Sequence, residues 1–191
     1  MAEKTKKVKR LKGKKWFTIL APKLFDSLEI GKTVANVDEK VIGRKVDVSL
    51  MELTGDFKKY YMKLSFKIIN VNNDRALTEF AGSECLSDYI SRMVHRRSRR
   101  VDTVQDLTTK DGRKIRVKTI TILPRRVKSS IKAAARNKIR EMIKDEVESS
   151  TLDEFVEKMI SDEIRKKVLK IARKVYPVRN FEIRKTEVLS K

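Results

Sequence analysis

Cysteine and histidine are almost missing from this 191-residue sequence, which holds one of each, Cys85 and His95. A single cysteine excludes an intramolecular disulfide, and the two residues are too few ligands for a zinc site. A helix turns about 100° per residue, so two residues ten positions apart on the helix expected here do not face each other as nucleophile and base. We therefore expect no catalytic residue, metal site or cofactor, and a core position for Cys85.

Long apolar runs are also missing. No segment approaches the roughly 20 residues that cross a bilayer, and the basic N-terminus lacks the apolar stretch of a secretory signal. Gly31-Lys32-Thr33 resembles the end of a phosphate-binding loop, but Asp26 stands where that motif needs a glycine. These absences predict a cytoplasmic protein without a membrane partner or a small-molecule substrate, and they argue against an enzyme.

Acidic residues are too few to balance the basic ones. The 47 lysines and arginines outnumber the 26 aspartates and glutamates, which gives a net charge of +21. Such a charge opposes compaction by self-repulsion unless a polyanion neutralises it, and nucleic acid is the polyanion that we expect. The hydrophobic fraction of 40% is nonetheless compatible with a folded core.

The basic charge is densest in residues 1–15, which contain eight bases, one acid and few apolar side chains. A segment of this composition cannot bury enough apolar surface to offset the entropy lost on ordering. We therefore predict an RNA-binding arm over residues 1–15 that orders only on its partner. A single α+β domain is predicted to follow over residues 16–191.

Alternating apolar residues predict about seven strands. Asp111-Gly112 predicts a type I′ hairpin turn, and the interrupted alternation between Val117 and Ile120 predicts a bulge. We expect a mostly antiparallel sheet that curls into a barrel-like core. The predicted strands are 16–21, 46–50, 62–68, 75–82, 101–108, 113–123 and 181–188.

Helical spacing of apolar residues predicts three or four helices. The first is a short amphipathic helix over 85–96. Residues after Pro124 are expected to be helical for about fifty positions, with Ser150-Thr151 and Ser161 as N-caps that separate the shorter helices 152–160 and 162–175. The apolar stripe of the long helix consists of Ile131, Ala135, Ile139, Met142, Ile143 and Val147.

Five arginines lie within nine residues around His95, and no acid occurs between positions 89 and 101. A run of charge is often only a solvated surface, which lysine or acids would supply as well. Guanidinium groups bind phosphate in bidentate fashion and stack on bases, so this density of arginine favours contact with RNA. The cluster consists of Arg92, Arg96, Arg97, Arg99 and Arg100.

A second basic row lies on the predicted helix after Pro124, where four bases follow one another at i,i+4 spacing. Like charges at this spacing disfavour a helix by about 0.2–0.5 kcal/mol per pair, and the helix dipole disfavours cations near its N-terminus. An anionic ligand would reverse both effects, so the row also favours RNA. Its members are Lys128, Lys132, Arg136 and Arg140, with Arg125 and Arg126 just before them.

Residues 141–164 carry the opposite charge, because they contain nine acids and only two bases. This segment would repel phosphates, so we do not expect it to contact RNA. It is expected to face either solvent or a basic neighbouring protein, and the sequence leaves both alternatives open.

Several short motifs are distributed along the whole chain. The most specific is 42–53, where Gly43-Arg44 is followed by an acidic residue, then Ser-Leu, then a second acidic residue with leucine. Others are Lys15-Trp16-Phe17, Ala21-Pro22-Lys23-Leu24-Phe25, Ile30-Gly31-Lys32-Thr33, Asp111-Gly112 and Tyr176-Pro177. In these motifs the sequence resembles the small-subunit ribosomal protein family called S-one-e or S-three-A-e, found in archaea and eukaryotes. Asp47 and Glu52 stand where that family more often has glutamate and aspartate, and Lys45 is a further departure.

The resemblance implies a β-barrel-like core flanked by C-terminal helices and bound to ribosomal RNA at the small-subunit platform near the messenger RNA exit. It also implies neighbouring small-subunit ribosomal proteins and, as a further partner, messenger RNA near that exit. The chain is short beside the eukaryotic members and lacks their C-terminal extension, which predicts an archaeal source.

The residues expected to contact RNA come from the arm, the Gly43-Arg44 motif and the two basic clusters. Two alternatives share the same composition: a free RNA-binding protein or translation factor that visits the ribosome transiently, and, more distantly, a basic protein that coats DNA. The predicted RNA-binding residues are Lys6, Lys7, Lys9, Arg10, Lys12, Lys14, Lys15, Arg44, Arg92, Arg96, Arg97, Arg99, Arg100, Arg125, Arg126, Lys128, Lys132, Arg136 and Arg140.

Overall fold

A computed structural model describes residues 13–190, which form eight strands and five α-helices. Within these residues, no helix combines the length and the apolar character needed to span a membrane. The strands are β1 (Lys15–Leu20), β2 (Glu29–Ala35), β3 (Lys45–Ser49), β4 (Met62–Asn72), β5 (Arg75–Cys85), β6 (Arg99–Thr108), β7 (Lys114–Leu123) and β8 (Asn180–Ser190). The helices are α1 (Leu50–Thr54), α2 (Ser87–Met93), α3 (Ser129–Glu148), α4 (Leu152–Ile160) and α5 (Glu163–Val175), with 3₁₀ turns at Lys23–Phe25, Asp38–Lys40 and Phe57–Lys59.

The strands form a mixed sheet, so the predicted α+β class is confirmed while the barrel-like core is not. The strand order is β2-β1-β5-β8-β7-β6, and β4 pairs with both β3 and β5. The β1–β5 pair is parallel, whereas β1–β2, β5–β8, β6–β7 and β7–β8 are antiparallel. Among the described strands, no pairing joins the two ends of this order into a closed barrel.

The described chain divides into two compact units, one of residues 13–46 with 67–79 and one of residues 47–66 with 80–190. In the first unit, one face of β1 and the adjoining strands encloses a small apolar core. Its buried members are Phe17, Ile19, Ala35, Val41, Ile68 and Ala76. The prediction of a single domain over residues 16–191 stays a prediction.

The core of the second unit is built largely by the C-terminal helices. The predicted stripe on α3 is buried at Ala135, Ile139, Met142, Ile143 and Val147, and each large apolar side chain buried in this way contributes roughly 1.5–3 kcal/mol. α3 packs against β6 and α5, and α5 packs against β8. Helix α3 therefore covers β6, the strand that begins with Arg99 and Arg100 of the arginine cluster.

The helix boundaries follow capping chemistry. Thr151 caps α4 in a capping box, since its hydroxyl accepts from the Glu154 N–H and the Glu154 carboxylate accepts from the Thr151 N–H. The prediction that Ser161 caps the next helix is wrong: Ser161 ends α4, and Asp162, with φ of 61°, precedes α5. The predicted helix 85–96 is shorter than expected, because α2 ends at Met93 and a turn at 96–97 follows.

The hairpin between β6 and β7 differs from the predicted type I′ turn. That turn needs positive φ at both central residues, but here only Gly112, with φ of 74°, adopts it, and Asp111 does not. The Gly112 N–H donates to the Thr109 carbonyl, and the Thr109 N–H donates to the Arg113 carbonyl. The connection is therefore a turn closed by a left-handed glycine.

The bulge predicted between Val117 and Ile120 coincides with a shift in the register of the β7–β8 pairing, between Lys118 and Thr119. The extra residue there is Arg184 of β8, because Lys118 faces Lys185 and Thr119 faces Ile183. Pairing of β7 with β6 continues without a break through the same positions. The bulge therefore belongs to the last strand.

Candidate nucleic-acid interface

The β6–β7 hairpin brings the two predicted basic clusters together in the second unit. Its pairing places Arg99, at the start of β6, opposite Leu123, at the end of β7. Arg96 and Arg97 lie just before β6, and Arg125 and Arg126 lie just after β7. Groups far apart in sequence therefore meet at one end of the hairpin.

Three of these arginines line one open hollow of about 450 Å³: Arg97, Arg125 and Arg126. We call it the arginine hollow. All three side chains are exposed to solvent. Cations that converge in this way raise the local positive potential and favour an anion.

Arg97 is held in the hollow by a tight turn. Its φ of 67° lies in the left-handed region, which costs roughly 1–2 kcal/mol for a residue other than glycine. The Ser98 N–H and hydroxyl both donate to the carbonyl of His95, at 3.1 and 2.6 Å, and fix the turn. A glycine would form this turn with less strain, so the turn alone does not explain an arginine here.

The remaining arginines of the first cluster differ in their freedom to bind a ligand. Arg96 and Arg99 are exposed, and Arg92 donates from Nε to the carbonyl of Asp88 in its own helix. Arg100 is paired with the carboxylate of Asp102, with 2.8 Å between Nε and Oδ1. That pair neutralises part of the charge of Arg100, so we expect it to contribute less to binding than Arg97.

The basic row predicted after Pro124 begins at the N-cap of α3 and runs along the helix. Lys128 is the N-cap residue, its side chain makes no capping hydrogen bond, and the first turn of α3 contains no acid. Lys128 and Arg140 are exposed, whereas Lys132 and Arg136 are half-buried. The Nε of Arg136 is buried and has no hydrogen-bond partner within the described residues.

The acidic segment lies farther along the helices. The C-terminal half of α3 carries Glu141, Asp145 and Glu148, all exposed, and α4 adds Asp153 and Glu157. The ion pairs of Glu141 and Glu148 with neighbouring lysines are surface pairs, which stabilise by about 0–1 kcal/mol. Positive and negative charge are therefore segregated along α3.

Arg44 has a different setting from the other predicted contacts. In the first unit its Nε donates to the Lys40 carbonyl, and its Nη1 donates to the Thr33 hydroxyl and the Val34 carbonyl, at 2.6 and 3.1 Å. These bonds join the 38–44 segment to β2. The guanidinium is thus occupied locally, and RNA contact by Arg44 stays a prediction.

Only part of the predicted basic arm lies within the described residues. Lys14 and Lys15 are exposed, and Lys15 begins β1. The predicted contacts Lys6, Lys7, Lys9, Arg10 and Lys12 lie outside the described residues.

One basic surface was missed in the sequence. Helix α5 contains six bases and one acid, and its buried positions Ile164, Val168 and Ala172 turn the charged residues outward. The charge count of residues 163–175 alone would have identified it. Its exposed bases are Lys166, Lys167, Lys170, Arg173 and Lys174.

The residues considered for catalysis occupy structural positions. Cys85 is buried and its thiol donates to the Ile183 carbonyl at 3.2 Å, while burial raises its pKa to about 12, which disfavours a thiolate. Gly31-Lys32-Thr33 lies inside β2 rather than in a loop before a helix, so it is not a phosphate-binding loop. No group of three or more potential metal ligands occurs among the described residues.

The second unit also contains a buried polar network that has no role at the arginine hollow. Glu182 accepts from Nη1 of Arg165 at 2.8 Å and from the Tyr89 hydroxyl at 3.1 Å, and the Tyr89 ring stacks on Tyr61 with centroids 3.9 Å apart. Burial raises the pKa of Glu182 to about 7, against the opposing effect of Arg165. The network joins α2, α5 and β8.

Comparison with known proteins gives matches along the whole chain. The model of the Ribosomal S3Ae family matches residues 2–191. Small ribosomal subunit protein eS1 of Sulfurisphaera tokodaii is 39% identical over 189 residues, which are 99% of this chain and 98% of the relative. Proteins of the same name from Saccharolobus islandicus and Methanopyrus kandleri are each 38% identical, over 178 and 182 residues, covering 93% of this chain and 86% of the relative.

Proposed function

The chain belongs to the Ribosomal S3Ae family, and on this basis we propose that it is a structural constituent of the small ribosomal subunit and binds ribosomal RNA there. Proteins of this family are structural components of the ribosome, so the chain is not an enzyme. The relatives are archaeal, and the matches to this chain cover 98% and 86% of their lengths. This supports an archaeal ribosome as the setting.

The arginine hollow carries the proposal for RNA binding. Arg97, Arg125 and Arg126 converge there from the two strands of one hairpin, at the end opposite its turn. Each guanidinium offers a planar pair of donors that matches a phosphate, and three of them in one hollow can contact neighbouring phosphates of one strand. The turn at 95–98 and the end of β7 fix the backbone positions from which these side chains extend.

The row on α3 extends this surface. An RNA strand that leaves the hollow meets Lys128 and Lys132 at the start of the helix, where a phosphate relieves the repulsion between the cations. The acids of α3 and α4 lie beyond the row and are proposed to face solvent or a basic ribosomal protein.

The finer placement rests on the family. We propose that the protein lies at the platform near the messenger RNA exit, beside other small-subunit proteins, and that messenger RNA passes close to it. The part of the predicted arm 1–15 that precedes β1 is proposed to order on ribosomal RNA, because its composition offers few apolar side chains to bury. Arg44 is proposed to contribute through the local fold that its hydrogen bonds maintain.

A salt titration of affinity for small-subunit RNA tests the surface. Arg97, Arg125 and Arg126 are replaced together by glutamine, and a control variant carries Asp145→Asn, Asp153→Asn and Glu157→Gln, which are exposed acids. Each lost phosphate contact flattens the plot of log affinity against log salt by somewhat under one unit, so the arginine variant should lose roughly 2–3 units. The acid variant should keep the wild-type slope. Equal slopes in both variants, with both folds intact, would exclude the hollow as a phosphate site.

A further inference from the structure

We propose that the outer face of β2, β1 and β5 in the first unit, centred on Trp16, stacks an unpaired base of RNA. This inference rests on the proposed RNA binding but concerns another surface and another kind of contact. We call the surface the Trp16 face.

The strand registers fix which residues share this face. Trp16 lies opposite Val34 of β2, and Thr18 lies opposite Lys32 of β2 and Arg75 of β5. Side chains that are directly paired project to the same side of a sheet. Leu20 and Leu77, which are also paired, continue the face along the strands.

The other side of the same strands already forms the core of this unit. Phe17, Ile19 and Ala76 alternate with the outward residues and are almost completely buried. Trp16 by contrast is 58% exposed, and Leu77 is 37% exposed. An exposed indole on a sheet whose opposite face holds the core adds little to stability, so its presence points to a contact outside the chain.

The charge of the face favours a polyanion as that contact. Lys32 and Arg75 are exposed beside the apolar residues. Two acids share this face by strand alternation: Glu29 is 3.5 Å from Lys32 in a solvent-exposed pair of small energetic effect, and Glu79, farther along β5, is half-buried. The chain enters β1 through Lys14 and Lys15, which follow the most basic segment of the sequence. A protein partner with an apolar surface would not need these cations, whereas RNA needs both an aromatic platform and positive charge.

The combination is suited to single-stranded RNA rather than to a duplex. In an A-form duplex the bases are stacked on one another, so their faces are not accessible to a side chain. In loops and single strands the bases can stack on an exposed aromatic ring while lysine or arginine follows the phosphates. Trp16 provides the ring. Lys32 and Arg75, which lie on either side of Thr18 two positions farther along β1, provide the charges.

The test uses the intrinsic fluorescence of the full chain, in which Trp16 is the single tryptophan. A 12-nucleotide single-stranded RNA and a duplex of the same length are titrated separately at one salt concentration. Stacking of a base on Trp16 should quench its emission with the single strand and leave it nearly unchanged with the duplex. Binding without any quenching by the single strand would overturn the proposal.

Affinities of variants, measured by anisotropy of labelled RNA, complete the test. Trp16→Ala should weaken single-strand binding by roughly 5- to 150-fold, the range for losing one stacked base, and Trp16→Phe should restore most of it. Phe57→Ala is the matched control, because Phe57 is 77% exposed and lies in the other unit. An unchanged melting temperature shows that the fold of each variant is intact.

The outcomes separate this inference from the proposed function. If the arginine variants lose affinity for ribosomal RNA while Trp16→Ala and Phe57→Ala both bind the single strand like the wild type, the Trp16 face is not an RNA site and the proposed function stands. If Trp16→Ala instead keeps its RNA affinity but loses a protein from the assembled subunit, a protein partner covers the face and the inference is wrong. If neither set changes RNA affinity, both proposals fail.

Discussion

Replacing Gly82 by alanine should destabilise the protein more than any other glycine-to-alanine change in the described chain. Gly82 lies in β5 opposite Glu187 of β8, where the two backbones approach closely. A Cβ at this position would lie 2.3 Å from the Thr186 carbonyl oxygen, and such contacts essentially never fall below 3.0 Å. The nearest atoms, the carbonyl oxygen and carbon of Thr186, belong to the backbone of β8 and cannot move aside as a flexible side chain would. The two strands must therefore separate.

The cost can be worked out from the contacts nearby. Overpacking of this kind costs about 1–3 kcal/mol. Separation also weakens two hydrogen bonds: the one that the Ser83 N–H donates to the Thr186 hydroxyl, at 3.0 Å, and the one between the Ser83 and Thr186 hydroxyls, at 2.8 Å. Each of these contributes about 1 kcal/mol. We expect a total near 3 kcal/mol, which corresponds to a fall in melting temperature of about 6–12 °C for a chain of this length.

Gly31→Ala is the matched control, since Gly31 also lies in a strand but has open space around its Cα and no left-handed φ. Alanine there should leave the free energy of unfolding unchanged or raise it by about 0.4–1 kcal/mol, because it reduces the entropy of the unfolded chain. Urea unfolding followed by circular dichroism measures both variants. If Gly82→Ala stayed within about 0.5 kcal/mol of the wild type, the close approach of β5 and β8 would be refuted.

Three further predictions concern the caps, the buried network and the arginine cluster. Thr151→Ala should lower the free energy of unfolding by about 1 kcal/mol, because the capping box is lost, whereas Ser161→Ala should change it by a few tenths; urea unfolding compares them. Burial raises the pKa of Glu182 to about 7, above its ordinary 4.5, so folding favours the protonated form: its stabilising contribution is complete below pH 4.5 and declines as the pH rises to about 7. The stability of the wild type relative to Glu182→Gln should fall across that interval, and a difference independent of pH would contradict the shift. Arg100→Gln should flatten the salt dependence of RNA affinity less than Arg97→Gln, because Arg100 is already paired with Asp102; the reverse order would show that this pair opens on binding.

Most elements could be predicted because their signals are local. The stripe on α3, the alternation of β4 and the turn residues of the hairpins depend on neighbours within a few positions. β2 was missed for the opposite reason: Gly31 and the half-buried pattern of Glu29–Ala35 carry little local signal, and pairing with β1 makes the segment a strand. The closure of the sheet could not be predicted either, because the number of strands does not reveal whether the two sheet edges meet. The barrel-like core that we expected is therefore not confirmed.

The convergence of the two basic clusters could have been predicted from the sequence. A two-residue turn at Asp111-Gly112 would place position 100 opposite Leu123, so the start of one strand and the end of the other were bound to meet. The three-residue connection shifts this register by one, and Arg99 faces Leu123 instead. A shift of one residue reverses the face on which every side chain lies. The meeting point was therefore predictable, whereas the side chains that line the hollow were not.

Co-sedimentation with small ribosomal subunits after a high-salt wash tests most directly whether the protein is a structural constituent of the ribosome. Salt removes proteins that are held by a few exposed charges, because their affinity falls steeply as the ionic strength rises. A constituent that is assembled into the subunit should remain in it at one copy per particle. Release of the protein into the free fraction, with the subunits otherwise intact, would contradict a structural role and favour a factor that visits the ribosome.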